Sequence, residues 1–142
     1  MPESDIACAI IEGRLSAEVV LRTPDVIAFL DHRPVFKGHV LVCPVVHVDT
    51  LLDLPDSLVP PLIAACRRIA AAMGPALGAQ GTFVAINNVV SQSVPHLHVH
   101  VVPRSKGDGL RGFFWPRTTY AAGEQAAYAT LLREALAAAE PG

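Results

Sequence analysis

The chain has 142 residues, of which 51% are apolar and only 17% charged, with 11 Lys and Arg against 13 Asp and Glu for a net charge of −2. A chain this apolar buries enough surface to offset its ordering entropy, which excludes disorder, and its length suits one compact domain. The charge balance supplies no field for a long polyanion such as duplex DNA, so an anionic ligand must be small and gripped by local donors.

The three cysteines, Cys8, Cys43 and Cys66, are odd in number and far apart, which excludes a disulfide framework. Residues 1–13 are acidic, and their apolar run is too short for a signal peptide or a membrane span. The expectation is a soluble cytoplasmic protein with no nucleic-acid or membrane partner. Residues 6–12 read as one or two helical turns or an edge strand. Runs at 18–22 and 25–31, parted by Thr23-Pro24, read as a β-hairpin. Residues 32–38 hold Pro34 and Gly38 and form a loop. Residues 39–46 are a strand in which His39, Leu41 and Cys43 share a face.

The period changes at 57–73, where Leu62, Cys66, Ile69 and Met73 make one stripe of an amphipathic helix. Asp56 or Ser57 is the expected cap, Pro60-Pro61 lie in the first turn, and Gly74-Pro75 end the helix. Residues 81–88 and 95–103 return to strand character, 104–120 form a loop, and a last helix spans about 124–139 with Tyr128, Leu131, Leu132, Ala135 and Leu136 at helical spacing. Hairpin-joined strands with a central and a C-terminal helix predict an α+β domain built on an antiparallel sheet of about five strands.

The chemistry concentrates at Gln92–Arg104. His96, His98 and His100 alternate with Leu97, Val99 and Val101, so in a strand they form one imidazole row backed by core residues. Such a row can hold Zn²⁺, or one ring can attack an electrophile while its neighbours fix its tautomer and bind an anion. Gln92 and Ser93 upstream and Arg104 downstream are donors, and no Asp or Glu occurs between residues 57 and 107. Donors without carboxylates suit a phosphate better than a cation. That balance favours nucleophilic catalysis on a phosphate ester or anhydride.

Gln92-Ser93-Val94-x-His96-x-His98-x-His100 followed by two apolar residues resembles the signature of the histidine triad family of nucleotide hydrolases and transferases. A second block, Leu30-Asp31-x-x-Pro34-x-x-x-Gly38-His39-x-Leu41-Val42-x-Pro44-x-x-His47, is similar to the family's segment ahead of its central helix. The likeness runs from about residue 5 to 104 and implies a histidine-triad-like fold, with a C-terminal extension over 105–142.

By this resemblance His98 is the nucleophile, attacking the α-phosphorus of a phosphoramidate, acyl-nucleotide or dinucleoside polyphosphate to form a nucleotidyl-histidine. His96, His100 and His47 would support it, and Ser93 would protonate the leaving group. Gln92 and Asn87 would contact phosphate, Asp31 would bind the ribose hydroxyls, and Ile10, Phe29 and His32 would wall the base pocket. The resemblance further implies a homodimer acting on a nucleoside phosphate, a purine one by preference, with no cofactor needed for the chemistry. A nucleotidyltransferase or phosphorylase of the same family, and a non-catalytic nucleotide-binding module, are the alternatives.

Two departures from the family pattern stand out. Asn87 and Gln92 are five apart with no glycine between them, so a cradle needing positive φ would be altered and Asn88 becomes an alternative functional amide. Where some bacterial members hold zinc with Cys-x-x-Cys and two histidines, this chain has Asp5-Ile6-Ala7-Cys8. Asp5, Cys8, His47 and His96 then form a candidate structural zinc set. Arg104, Lys106, Arg111 and Arg117 with Phe113, Phe114 and Trp115 would either line the leaving-group side or dock on a second subunit; docking is the favoured reading.

Overall fold

A computed structural model describes residues 5–110 and 117–139. The chain divides into two compact units, residues 1–108 and 109–142. The first holds a five-stranded sheet, all of whose pairings are antiparallel, in the order β1-β2-β3-β5-β4. Its strands are β1 (Val19–Arg22), β2 (Val26–Leu30), β3 (Val40–Pro44), β4 (Gly81–Ala85) and β5 (Val99–Arg104), with helices α1 (Ile6–Ile11) and α2 (Val59–Leu77). In the second unit, α3 (Glu124–Ala139) occupies the span its periodicity predicts. Arg111, Phe113, Phe114 and Trp115 lie outside the described residues.

Strands β2 and β3 are apolar on both faces because both faces are covered. Val26, Ala28, Val40 and Val42 pack with Leu62, Ala65, Cys66 and Met73 of α2, whereas Ile27, Phe29, Leu41 and Cys43 pack with Ala7 and Ile10 of α1. Leu97, Val99 and Val101 join the α2 side. Leu41 pairs with His100 across the β3–β5 ladder, and directly opposed residues share a face. His100 therefore looks toward the α1 side, where Phe29 and Leu41 lie.

Several boundaries differ from those the sequence predicts. Asp5 caps α1 by accepting the Cys8 N–H at 2.9 Å, which settles residues 6–12 as helix. Helix α2 runs on past Gly74-Pro75 to Leu77 and stops at Gly78, whose φ of 73° ends it in a left-handed cap. Pro75 sits in the last turn and is tolerated there. Neither Asp56 nor Ser57 caps α2: Asp56–Leu58 form a 3₁₀ turn leading into it, and Pro60-Pro61 occupy the first positions. The strand expected at 81–88 ends at Ala85, and that expected at 95–103 begins only at Val99. His96 and His98 thus lie in the approach to β5 rather than within it.

Candidate active site

The three triad histidines divide between different neighbours. His98 is buried, only 7% exposed, and its Nδ1 lies 2.7 Å from the His96 carbonyl oxygen. A carbonyl only accepts, so Nδ1 carries a proton, and in the neutral ring Nε2 has the lone pair. The His98 ring meets that of His100 edge-on with centroids 5.0 Å apart.

His100 Nδ1 lies 3.0 Å from His39 Nε2, and His39 Nδ1 accepts the Val35 N–H at 3.1 Å. Asp31 Oδ2, 3.7 Å from that same nitrogen, makes no ion pair with it, because the backbone amide already occupies its lone pair. Burial lowers the affinity of His39 for a second proton, and the Asp31 carboxylate offsets this only in part. Burial, with His98 and His39 adding to it, pushes His100 down to about 4. Both rings are neutral at pH 7.

His96 belongs to another cluster. It is fully buried, and its Nε2 donates to the Pro44 carbonyl at 2.9 Å, so in the neutral ring Nδ1 is the bare nitrogen. That nitrogen faces Asp5 Oδ2 and Cys8 Sγ, each at 3.4 Å. With both ring nitrogens engaged there, the imidazole is turned away from a phosphate role; its carbonyl is what holds His98. His47 Nδ1 lies 2.7 Å from Asp5 Oδ2 and 3.4 Å from Cys8 Sγ, while its Nε2 bonds Asp49 at 2.9 Å.

Asp5, Cys8, His47 and His96 accordingly offer four ligand atoms within 4.8 Å of one another. Ligands about 2.0–2.3 Å from a tetrahedral zinc lie roughly 3.3–3.7 Å apart, so three of these four contacts fit and the fourth is shorter. Their chemistry fits as well. The Pro44 carbonyl and the Asp49 carboxylate each hold an Nε2–H, leaving both Nδ1 atoms turned inward. A bare nitrogen facing a carboxylate oxygen needs a proton or a cation between them, and one thiol hydrogen cannot satisfy two rings. Burial and the Asp5 carboxylate push the Cys8 thiol up to about 11, so a bound cation would have to displace its proton.

The expected nucleoside-binding residues come together. Ile10, Phe29, Asp31 and His32 line one cavity of about 580 Å³ with Leu41, on the face toward which His100 looks. Asp31 Oδ1 also accepts the Arg33 N–H at 2.9 Å, so it steadies its own loop while lining the cavity.

The 87–92 segment differs from expectation. Despite having no glycine, it takes positive φ at Val89 (71°) and Ser91 (64°), a strained conformation for a β-branched residue. Side chains hold it there: Asn88 Oδ1 accepts the Leu51 N–H at 3.0 Å, and Gln92 bridges the Val89 N–H and the Asp49 carbonyl. Asn88 and Gln92 are thereby loop braces, while Asn87 and Ser93 are exposed. Among the downstream cations, Arg104 pairs with Asp108.

His39 is the residue that sequence reasoning left out of the site. The available signal was its place at the head of an apolar strand, in period with Leu41 and Cys43.

A family model described as HIT domain matches residues 12–107. An uncharacterized HIT-like protein of Methanocaldococcus jannaschii is 38% identical over 73% of this chain and 81% of its own length. Adenosine 5'-monophosphoramidase hnt1 of Schizosaccharomyces pombe is 30% identical over 80% of this chain and 84% of its own. The asymmetrical bis(5'-nucleosyl)-tetraphosphatase of the same yeast is 34% identical over 66% of this chain and 53% of its own. Among solved structures, a HIT family member from Bacillus subtilis superposes with a TM-score of 0.81 at 31% identity, covering 92% of this chain and 95% of that one. A Zn-bound histidine triad family protein from Mycobacterium smegmatis gives 0.73 at 36%, covering 96% of each. The chain belongs to the HIT family, and its antiparallel fold is that family's.

Proposed function

We propose that this protein is a nucleotide hydrolase in which His98 Nε2 attacks the α-phosphorus of a nucleoside phosphate derivative. One observation carries the reading: His98 is buried with Nδ1–H fixed on a backbone carbonyl at 2.7 Å, which directs Nε2, the nitrogen that bears the lone pair in the neutral ring, toward the substrate. Attack forms the N–P bond and breaks the bond from phosphorus to the leaving group, which departs with a proton; exposed Ser93 is the proposed donor. Water then cleaves the nucleotidyl-histidine: its oxygen bonds phosphorus as the N–P bond breaks, its proton replaces the one Ser93 gave, the lone pair returns to Nε2 and the nucleotide is released. Splitting one hard displacement into two easier ones is the gain.

The supporting groups are proposed from the cavity beside the triad and from the family resemblance. The cavity lined by Ile10, Phe29, Asp31 and His32 takes the nucleoside, with the Asp31 carboxylate as acceptor for ribose hydroxyls. His100 donates to a non-bridging oxygen, and Asn87 is the amide available to phosphate. Asp5, Cys8, His47 and His96 would hold a structural zinc tying α1 to the end of β3 and the approach to β5; the chemistry does not pass through it. A homodimer in the cytoplasm and a preference for purines complete the reading, both carried by the family resemblance.

His98→Asn tests it directly. The variant should lose at least about a thousandfold in turnover of adenosine 5'-phosphoramidate, a loss of the size seen when a catalytic group is removed. Nucleotide affinity, measured by calorimetry, should stay within a few fold. Turnover near the wild-type rate would exclude His98 as nucleophile.

A further inference from the structure

Helix α1 turns a different side to each of two cavities. Successive helical residues are about 100° apart, so Ile6 and Ile10 share one side and Cys8 lies almost opposite. Ile6 and Ile10 line the cavity of about 580 Å³ that also holds Phe29, Asp31 and His32. Asp5 and Cys8 line another, of about 500 Å³, with His47 and Asp49. The candidate nucleoside site and the candidate zinc site thus share this helix as a wall.

Six residues are too few to form a stable helix alone, so contacts with the rest of the chain must hold α1 in place. Ala7 and Ile10 pack on Ile27, Phe29, Leu41 and Cys43, and Arg22 Nη2 reaches the Ile11 carbonyl at 3.5 Å. Polar side-chain ties run from Asp5 and Cys8 to His47 and His96. The Asp5 carboxylate does two jobs: Oδ1 caps the helix on the Cys8 N–H at 2.9 Å, while Oδ2 faces His47 Nδ1 at 2.7 Å. That double use follows from having aspartate at position 5, because a cysteine there would offer one weakly accepting sulfur in place of two oxygens.

We propose that the Asp5–Cys8–His47–His96 site is coupled to the nucleoside cavity through α1: zinc held there seats the helix and strengthens nucleoside binding, and the nucleoside in turn strengthens zinc binding. The coupling rests on the nucleoside reading of the cavity and not on the chemistry at His98. Four ligands converge only when α1 brings Asp5 and Cys8 to the two histidines, and a base can pack on Ile6 and Ile10 only when the same helix is in place. Each ligand therefore favours the seated helix over a loosened one. Linkage requires the two effects to be one factor, read from either side.

Calorimetry with adenosine, which has no phosphate for zinc to attract, tests the coupling on the wild-type chain loaded with zinc and after chelation. Adenosine should bind about five- to tenfold more weakly to the zinc-free chain, and saturating adenosine should raise zinc affinity, by competition titration, by the same factor. Cys8→Ala should bind adenosine as the zinc-free wild type does, with no response to chelator. Hydrogen exchange of the α1 amides should slow when adenosine is added to the zinc-loaded chain; this measurement decides should chelation unfold the protein, and unchanged exchange would overturn the proposal. Equal adenosine affinity with and without zinc would overturn it, as would a chain that binds no zinc or, loaded with zinc, no adenosine. Turnover of adenosine 5'-phosphoramidate keeps the two readings apart. Intact turnover with zinc-independent adenosine binding removes the coupling alone, and zinc-dependent adenosine binding without turnover removes the hydrolase reading alone.

Discussion

Among the described residues two clusters are built from nearly the same parts, Asp5–Cys8–His47–His96 and Asp31–His39–His100, and they are suited to opposite tasks. In the first, a carbonyl and a carboxylate draw the Nε2 protons outward, and two Nδ1 atoms, a thiol and a carboxylate converge. In the second, the Val35 amide takes the His39 lone pair, the His39 proton takes that of His100, and Arg33 N–H takes one Asp31 oxygen. The lone pairs of both facing ring nitrogens are taken up there, and a proton is presented instead. Residue types alone make both clusters look like metal sites; the backbone groups around the rings separate them.

The largest way to break that contrast is Cys8→Ala. It removes one of four ligands from the first cluster, and zinc content by elemental analysis should fall from about one per chain to near zero. Because metal binding to a site formed only on folding contributes to stability, Tm should drop on chelation in the wild type and be insensitive to chelator in the variant. The variant should still show the tautomers expected of His39 and His100. A wild-type chain purified without zinc, and unchanged by adding it, would remove the distinction.

A smaller effect comes from outside the ligand set. Asp49→Ala deletes the carboxylate that holds His47 Nε2–H, and zinc affinity by competition titration should weaken about 10- to 100-fold without being abolished. An unchanged affinity would mean that the His47 tautomer is set by something else.

The smallest effect is a pH dependence belonging to the second cluster. His100 is pushed down to about 4 from 6.5 by burial, so between these values the unfolded chain binds a proton there that the folded chain does not. Stability from this group is therefore complete above pH 6.5 and declines as pH falls toward 4. Chemical denaturation of the zinc-free Cys8→Ala protein, compared with the same protein carrying His100→Gln, isolates it. On the hydrolase reading, activity should gain no acidic limb from His100 above pH 5.

The sequence exposed the parts whose role follows from alternation. Leu97, Val99 and Val101 pack toward α2 as their spacing requires, and Phe29, Asp31 and His32 reach one cavity because they are neighbours at the end of β2. The zinc candidates Asp5, Cys8, His47 and His96 also meet, as the departure from Cys-x-x-Cys suggested. What alternation cannot encode is which nitrogen bears a proton. That depends on backbone groups such as Val35 N–H and the Pro44 carbonyl, supplied by a loop and a strand end. For the same reason His39 passed as a strand residue, and Gln92, which looked like a phosphate donor, proves to brace a strained turn.

The proposed hydrolysis requires His98 to take the nucleotidyl group before water does. Hydrolysis of an adenosine phosphoramidate chiral at the α-phosphorus, in isotopically labelled water, reports this in one experiment. Two successive in-line displacements predict overall retention of configuration at phosphorus. Inversion would mean that water attacks directly and that His98 never becomes bonded to the substrate.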